Sequence, residues 1–147
     1  MNGLVGEKLS IVTSKAQTTR HRIHGLVNGD DHQIVFSDTP GVVNSSYKLH
    51  DAMMSYVESS FKDADILLFI TDMSENEMNH KETLERIVKL RIPVLLILNK
   101  IDLADQTKLE ERVQYWKEKV PNAEIIPTSA LHKFNIGVIW DRILQLA

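Results

Sequence analysis

Cysteine is absent from the sequence, which rules out a disulfide framework or a thiolate metal site and suits a reducing compartment. No apolar run approaches the roughly 18 residues of a membrane-spanning helix. The amino terminus lacks the basic-then-apolar pattern of a secretory signal. Excess positive charge is missing too: 17 Lys and Arg stand against 20 Asp and Glu. The net charge of −3 and pI near 6.1 therefore give no overall basic field of the kind that advertises nucleic acid. Six histidines (His21, His24, His32, His50, His80, His132) are scattered without the close spacing of a zinc site and read as surface or loop residues. There is no internal repeat and no low-complexity linker. What remains is an ordinary composition, 43% hydrophobic and 25% charged over 147 residues, enough for one domain with a real core. Its expected location is the cytoplasm.

The chain is organised around Val94-Leu95-Leu96-Ile97-Leu98-Asn99-Lys100-Ile101-Asp102. Five apolar residues in a row behind Pro93 predict a strand buried on both faces, as in a parallel sheet flanked by helices. The run stops at Asn99-Lys100-Ile101-Asp102. In open α/β sheets ligands sit beyond the carboxyl ends of the strands. A carboxylate there can accept two parallel N–H bonds from a guanine edge, and an amide can meet the same ring. Taken alone, the motif is equally a polar loop after a core strand.

Other segments repeat the pattern. Met1 to Gly6 reads as the last turn of a helix closed by Gly6, and Lys8 to Arg22 as an exposed polar loop. Ile23–Asn28 and Gln33–Ser37 read as two strands joined by Gly29-Asp30-Asp31-His32, with hairpin chemistry. The second runs into Asp38-Thr39-Pro40-Gly41, either a bare turn or an aspartate aimed at a metal with a glycine N–H beside a phosphate. Leu49, Ala52, Met53, Tyr56, Val57 and Phe61 form a helical stripe over Tyr47 to Lys62, so Met53 and Met54 belong to or near the core. Asp65 to Asp72 predicts a second fully buried strand. A helix from about His80 to Leu90 follows, with Leu84, Ile87 and Val88 on one face. Another begins at Thr107, carries Leu109, Val113 and Trp116, and ends before Pro121. Glu124–Pro127 reads as a short strand ending in Thr128-Ser129-Ala130. Either Asn135 or Gly137 precedes a last helix through Val138, Ile139, Ile143 and Leu146. Strands alternating with helices predict a doubly wound α/β sheet.

Asp-Thr-Pro-Gly, Asn-Lys-Ile-Asp and Ser-Ala in that order, each at a strand's carboxyl end, resemble the motifs of translation-factor-like GTPases. Lys15-Ala16-Gln17-Thr18-Thr19-Arg20-His21-Arg22 is similar to the first switch of the Era family. The resemblance covers essentially the whole chain. It implies a Ras-like doubly wound α/β sheet, mostly parallel with one antiparallel hairpin strand. It also implies GTP and GDP as ligands, Mg2+ as cofactor and hydrolysis of GTP. Asp102 would read the guanine N–H groups. Asn99 would bridge the base edge and neighbouring loops, and the Lys100 stem would lie along base and sugar. Ala130 N–H would meet the guanine carbonyl, with Ser129 shaping the turn. Asp38, Thr39, Pro40 and Gly41 would line the phosphate side, with Asp38 holding magnesium through water and Gly41 N–H on the γ-phosphate. Thr18 or Thr19 would close on the metal in the GTP state. Val42 stands where many relatives carry a glutamine that orients water, so unaided hydrolysis should be slow.

The sequence departs from the family pattern at two places. It contains no Gly-x-x-x-x-Gly-Lys-Ser/Thr, the loop that supplies most phosphate N–H contacts, a lysine and a magnesium hydroxyl. By resemblance the chain begins just after that loop, without the first strand, and stops at Ala147 before an RNA-binding KH domain. Three readings compete. The first is the GTPase domain of an Era-like protein acting in small ribosomal subunit maturation, with impaired turnover here. The second is a catalytically inactive relative serving as a binding module. The third is an unrelated flavodoxin-like sheet. The implied partner is small-subunit ribosomal RNA through the KH domain, and family members can also associate peripherally with the inner face of the membrane.

Overall fold

A computed structural model describes residues 2–6, 23–39, 59–74 and 81–147. The expected loop over residues 8–22, the stretch from Pro40 to Val42 and the helix from Tyr47 to residue 58 lie outside these. The chain divides into two units, Met1–Asp63 and Ala64–Ala147.

In the first unit, α1 (Asn2–Val5) is a single turn with Leu4 buried. Gly6 closes it at φ +79°, a conformation glycine adopts without steric cost. Strands β1 (Ile23–Asn28) and β2 (Gln33–Asp38) form an antiparallel hairpin, with Ile23 opposite Asp38 and Asn28 opposite Gln33. Its turn is closed by Gly29 N–H donating to the His32 carbonyl at 2.8 Å. Alternation then sorts the faces. Gly25 pairs with Phe36 on the buried side, while Leu26 pairs with Val35 and both are exposed. The second strand is one residue longer than expected, so Asp38 is its last residue. Residues 59–63 form α2, which buries Ser60.

The second unit is a three-stranded parallel sheet in the order β3 (Leu67–Asp72), β4 (Val94–Asn99), β5 (Ala123–Pro127). Val94 to Leu98 are at most 4% exposed. Each such side chain contributes about 1.5–3 kcal/mol through burial, which makes β4 the energetic centre of the unit. Helix α3 (Lys81–Val88) buries Thr83, Leu84 and Ile87, whereas Val88, expected on that face, points outward. Asn122 Nδ2 donates to the Ile87 carbonyl at 3.1 Å, a second bond to an oxygen at the end of α3 that also accepts from Leu90 N–H. Helix α4 (Gln106–Lys119) starts one residue earlier than expected, because the Asp105 side chain accepts from Lys108 N–H at 2.9 Å. Its buried Trp116 meets Phe69 edge-on at 5.7 Å between ring centres. Helix α5 (Ile136–Leu146) buries Ile139 and Ile143.

One expectation needs correction. The second strand is not fully buried: Ile70 is 50% exposed, and Leu67, Leu68 and Phe69 are half-buried. The cause is position. Leu67 N–H donates to the Pro93 carbonyl and Met73 N–H to the Asn99 carbonyl, so by alternation the odd residues of β3 face β4. Leu68 and Ile70 turn their backbone groups to the outer side, where no further strand pairs with β3 among the described residues. An apolar run reports that a strand is built for burial, not how many neighbours it has.

Candidate functional site

The parallel register brings the carboxyl ends of the three strands level. Asp72 stands beside Asn99, and Leu98 beside Pro127. Thr128 N–H continues the ladder to the Leu98 carbonyl at 2.8 Å, and Ile101 N–H returns to the Thr128 carbonyl at 3.3 Å. The ends of β4 and β5 are thereby locked together where the polar motifs begin.

Beyond β4 the chain reverses at Lys100, whose φ of 58° and ψ of 35° lie in the left-handed region. A residue with a Cβ adopts this at a cost. Here the turn is fixed by Leu103 N–H donating to the Lys100 carbonyl at 3.0 Å. The reversal feeds a 3-10 turn, Ile101–Leu103, which carries Asp102 with its side chain exposed.

Two side-chain bonds tie this turn to the segment after β5. Asn99 Oδ1 accepts from Ala130 N–H at 3.0 Å, and Ser129 Oγ donates to Asp102 Oδ1 at 2.6 Å. Ser129 is 2% exposed, and its Oγ also accepts from His132 N–H at 3.3 Å. Ser129 and Phe134 exchange backbone bonds, and Asn135 Nδ2 donates to the Pro127 carbonyl at 2.8 Å. The loop over residues 128–134 is therefore closed on itself. The Ser129 hydroxyl bond holds the Asp102 carboxyl below its ordinary range against the cost of desolvation, with the charges of His132 and Lys100 helping. Asp102 is thus an anion.

Of the residues expected to read the base, Asn99, Lys100, Asp102, Ser129 and Ala130 lie in this one constellation. The Ala130 amide, expected to meet the guanine carbonyl, is engaged by Asn99, so a base would share or displace that bond. Lys100 extends to Asp72, its Nζ 2.5 Å from Oδ2. Sequence reasoning missed Asp72 and Ser74. Ser74 bonds Asp72 Oδ1 through its N–H at 2.8 Å and its hydroxyl at 2.6 Å. The available signal was an Asp-x-Ser at a strand's carboxyl end, the same kind of position as the other motifs. Partial burial works against the Asp72 charge, but the bonds from Lys100 and Ser74 outweigh it and hold the carboxyl below its ordinary range.

Asp38 and Thr39 belong to the first unit, both half-buried, with Asp38 closing β2. Pro40, Gly41, Thr18 and Thr19 lie outside the described residues. Among the described residues no group of three metal-binding side chains occurs. A lone carboxylate at a strand end still fits magnesium, which keeps several waters and takes only one or two carboxylates beside substrate phosphates.

Comparison with known proteins assigns the chain to a family. Residues 1–100 match the 50S ribosome-binding GTPase family. The chain is 43% identical over 146 residues to GTPase Era of Clostridium kluyveri, covering 99% of this chain and 50% of that protein. It is 38% identical over 142 residues to GTPase Era of Clostridium beijerinckii, covering 96% and 48%. The chain therefore spans about half the length of the curated relatives it matches. Two solved Era structures superpose with a TM-score of 0.87 at 33% identity, covering 99% of this chain and 50% of each. One is Era with MgGDPNP and nucleotides 1506–1542 of 16S ribosomal RNA, the other a point variant of Aquifex aeolicus Era bound to GDP and AlF4−. With its β-strand motifs, its Ras-like α/β fold and the match over residues 1–100 in agreement, the chain belongs to the 50S ribosome-binding GTPase family.

Proposed function

We propose that this chain is the guanine-nucleotide domain of an Era-like GTPase, the part of the protein that binds GTP for hydrolysis to GDP and phosphate, with turnover impaired in these residues alone. The observation that carries the reading is the Asn99–Ala130 and Asp102–Ser129 pair of bonds. They fix an exposed carboxylate and an amide side by side at the carboxyl ends of a parallel sheet. Asp102 would accept from the ring N–H and exocyclic amine of guanine, a donor pair that adenine lacks. Asn99 would meet the base edge, and Ser129 would hold the Asp102 carboxylate ionised and oriented.

On the phosphate side, Asp38 would take magnesium through water, Thr18 or Thr19 would complete the metal's shell, and Gly41 N–H would bond the γ-phosphate. The metal neutralises charge on the phosphate oxygens when bound. Val42 has no polar atom with which to orient water, so another group must do so and hydrolysis should be slow.

The second reading, a binding module without turnover, is favoured by one feature. These 147 residues contain no Gly-x-x-x-x-Gly-Lys-Ser/Thr, so about half the groups that neutralise a transferring phosphoryl are not among them. On either reading magnesium-dependent hydrolysis by these residues alone should be undetectable, while a version with the loop restored should turn over slowly if the first reading holds; measurable turnover by these residues alone would refute the argument from the loop.

For the whole protein we infer a role in small ribosomal subunit maturation, supported by the Era relative solved with 16S ribosomal RNA. The net charge of −3 argues that these residues alone make only weak, salt-sensitive RNA contact. A complex with ribosomal RNA that survives moderate salt would contradict that. The base assignment is tested by titrating labelled GDP and ATP against the chain and an Asp102→Asn variant. GDP should bind preferentially, and the preference should fall in the variant. Equal affinity for both nucleotides in the parent chain overturns the assignment.

A further inference from the structure

We propose that Asp72 is a positioning residue for guanine recognition: by tethering the Lys100 ammonium it sets the lysine stem as one wall of the base site and keeps the ammonium off Asp102. The proposal rests on the guanine reading above and adds a residue from a different strand to it.

The tether is built in steps. The parallel register places Asp72 beside Asn99, so the carboxylate stands level with the start of the base-reading motif. Ser74 occupies Asp72 Oδ1 twice, through N–H and hydroxyl, which fixes the carboxylate plane and leaves Oδ2 for Lys100. At the other end, the left-handed turn fixes the Lys100 backbone. Both ends of the side chain are therefore held. The Asp72 side chain is only 20% exposed and that of Lys100 51%, so the anchor is sheltered while much of the lysine remains open to a ligand. A free lysine gives up the rotamer freedom of a four-carbon stem when it packs against a base, and a tethered one has already done so.

The second effect is electrostatic. Lys100 lies two residues from Asp102, whose carboxylate is exposed. An untethered ammonium would be drawn to that anion and would cover the group that reads guanine. Asp72 supplies a better-held counter-charge and keeps the two functions apart.

The test is a double-mutant cycle on the chain, read by fluorescence anisotropy of ribose-labelled GDP. Asp72→Asn should weaken GDP binding about fivefold, the scale of a partly exposed ion pair. Asp72→Glu should recover part of the loss. In a Lys100→Met background, Asp72→Asn should cause no further loss, because the residue acts only through the lysine. An Asp72→Asn variant that binds like the parent overturns the proposal, as do losses that multiply in the double variant. Circular dichroism checks that each variant folds. Should Asp72→Asn not fold, Ser74→Ala removes one anchor and should weaken binding about twofold, and unchanged affinity there overturns the proposal equally. A parent chain with no GDP binding or no guanine preference removes the base reading and this proposal together. A parent that prefers guanine while Asp72→Asn is silent removes this proposal alone.

Discussion

Replacing Asn99 by Ala separates what the site does for the fold from what it does for a ligand. Among the described residues the Asn99 side chain makes one bond, accepting from Ala130 N–H at 3.0 Å. A neutral bond of this kind contributes about 0.5–1.5 kcal/mol. Ala130 is exposed, so its freed amide can be rehydrated and the loss should sit near 1 kcal/mol. The loop itself should stay in place, because Thr128 N–H, Ile101 N–H, the Ser129–Phe134 pair and Asn135 Nδ2 still hold it. For a chain of this length that loss shifts Tm by roughly 3 °C. Binding should suffer more. The variant lacks the amide proposed to meet the base, about 1–2 kcal/mol, partly offset because Ala130 N–H would become free for the guanine carbonyl. A net loss of about tenfold in GDP affinity is expected. Calorimetry at matched temperature, well below the transition, reads affinity, and a thermal melt reads stability. An Asn99→Ala chain that loses roughly 3 °C yet binds GDP like the parent would show a purely structural asparagine and refute the reasoning.

Three further outcomes follow from the same geometry. Leu96, fully buried at the centre of β4, should cost about 2–5 kcal/mol when cut to Ala, read as a lowered urea midpoint at unchanged slope. Asp72 has its carboxyl held below the ordinary value. Its contribution to stability should be complete above the usual carboxylate range and vanish as pH falls through the lowered folded value; urea midpoints from about pH 7 to 3 should therefore fall less steeply in Asp72→Asn than in the parent. Lys133 sits exposed at φ 55°, so Lys133→Gly should relieve left-handed strain and stabilise by about 0.5–1 kcal/mol, checked by the same melts.

The strands and their polar ends were legible because apolar runs and abrupt polarity report burial and its limit. Ile23–Asn28 matched residue for residue, and β2, β4 and β5 matched to within one residue. What escaped depends on three-dimensional neighbours. The exposure of Ile70 follows from an outer position in a sheet, which its own sequence does not encode. The left-handed turn at Lys100 falls on a residue with no special preference for it, so it is set by the bonds around it. Asn135 and Gly137 were equal candidates for the start of α5; Asn135 takes the place, at φ 59° and with its side chain turned to Pro127 rather than capping the helix. Asp72 escaped because its partner Lys100 lies just past the end of another strand and only the register reveals the pair.

The register of β4 also acts as a ruler. Asn99 is reached by counting from Val94 along a strand whose residues are locked on both sides, with β3 and with β5. One inserted residue inside Val94–Leu98 would turn each following side chain to the opposite face and carry Asn99 and Asp102 away from Ala130 and Ser129. The same insertion in the turns at residues 89–93 or 120–122 is spliced outside the counted stretch and leaves the two ends level. Length variation among functional descendants of this chain should therefore collect in those turns and avoid β4, and a library of single-residue insertions sorted for GDP binding would draw that boundary directly.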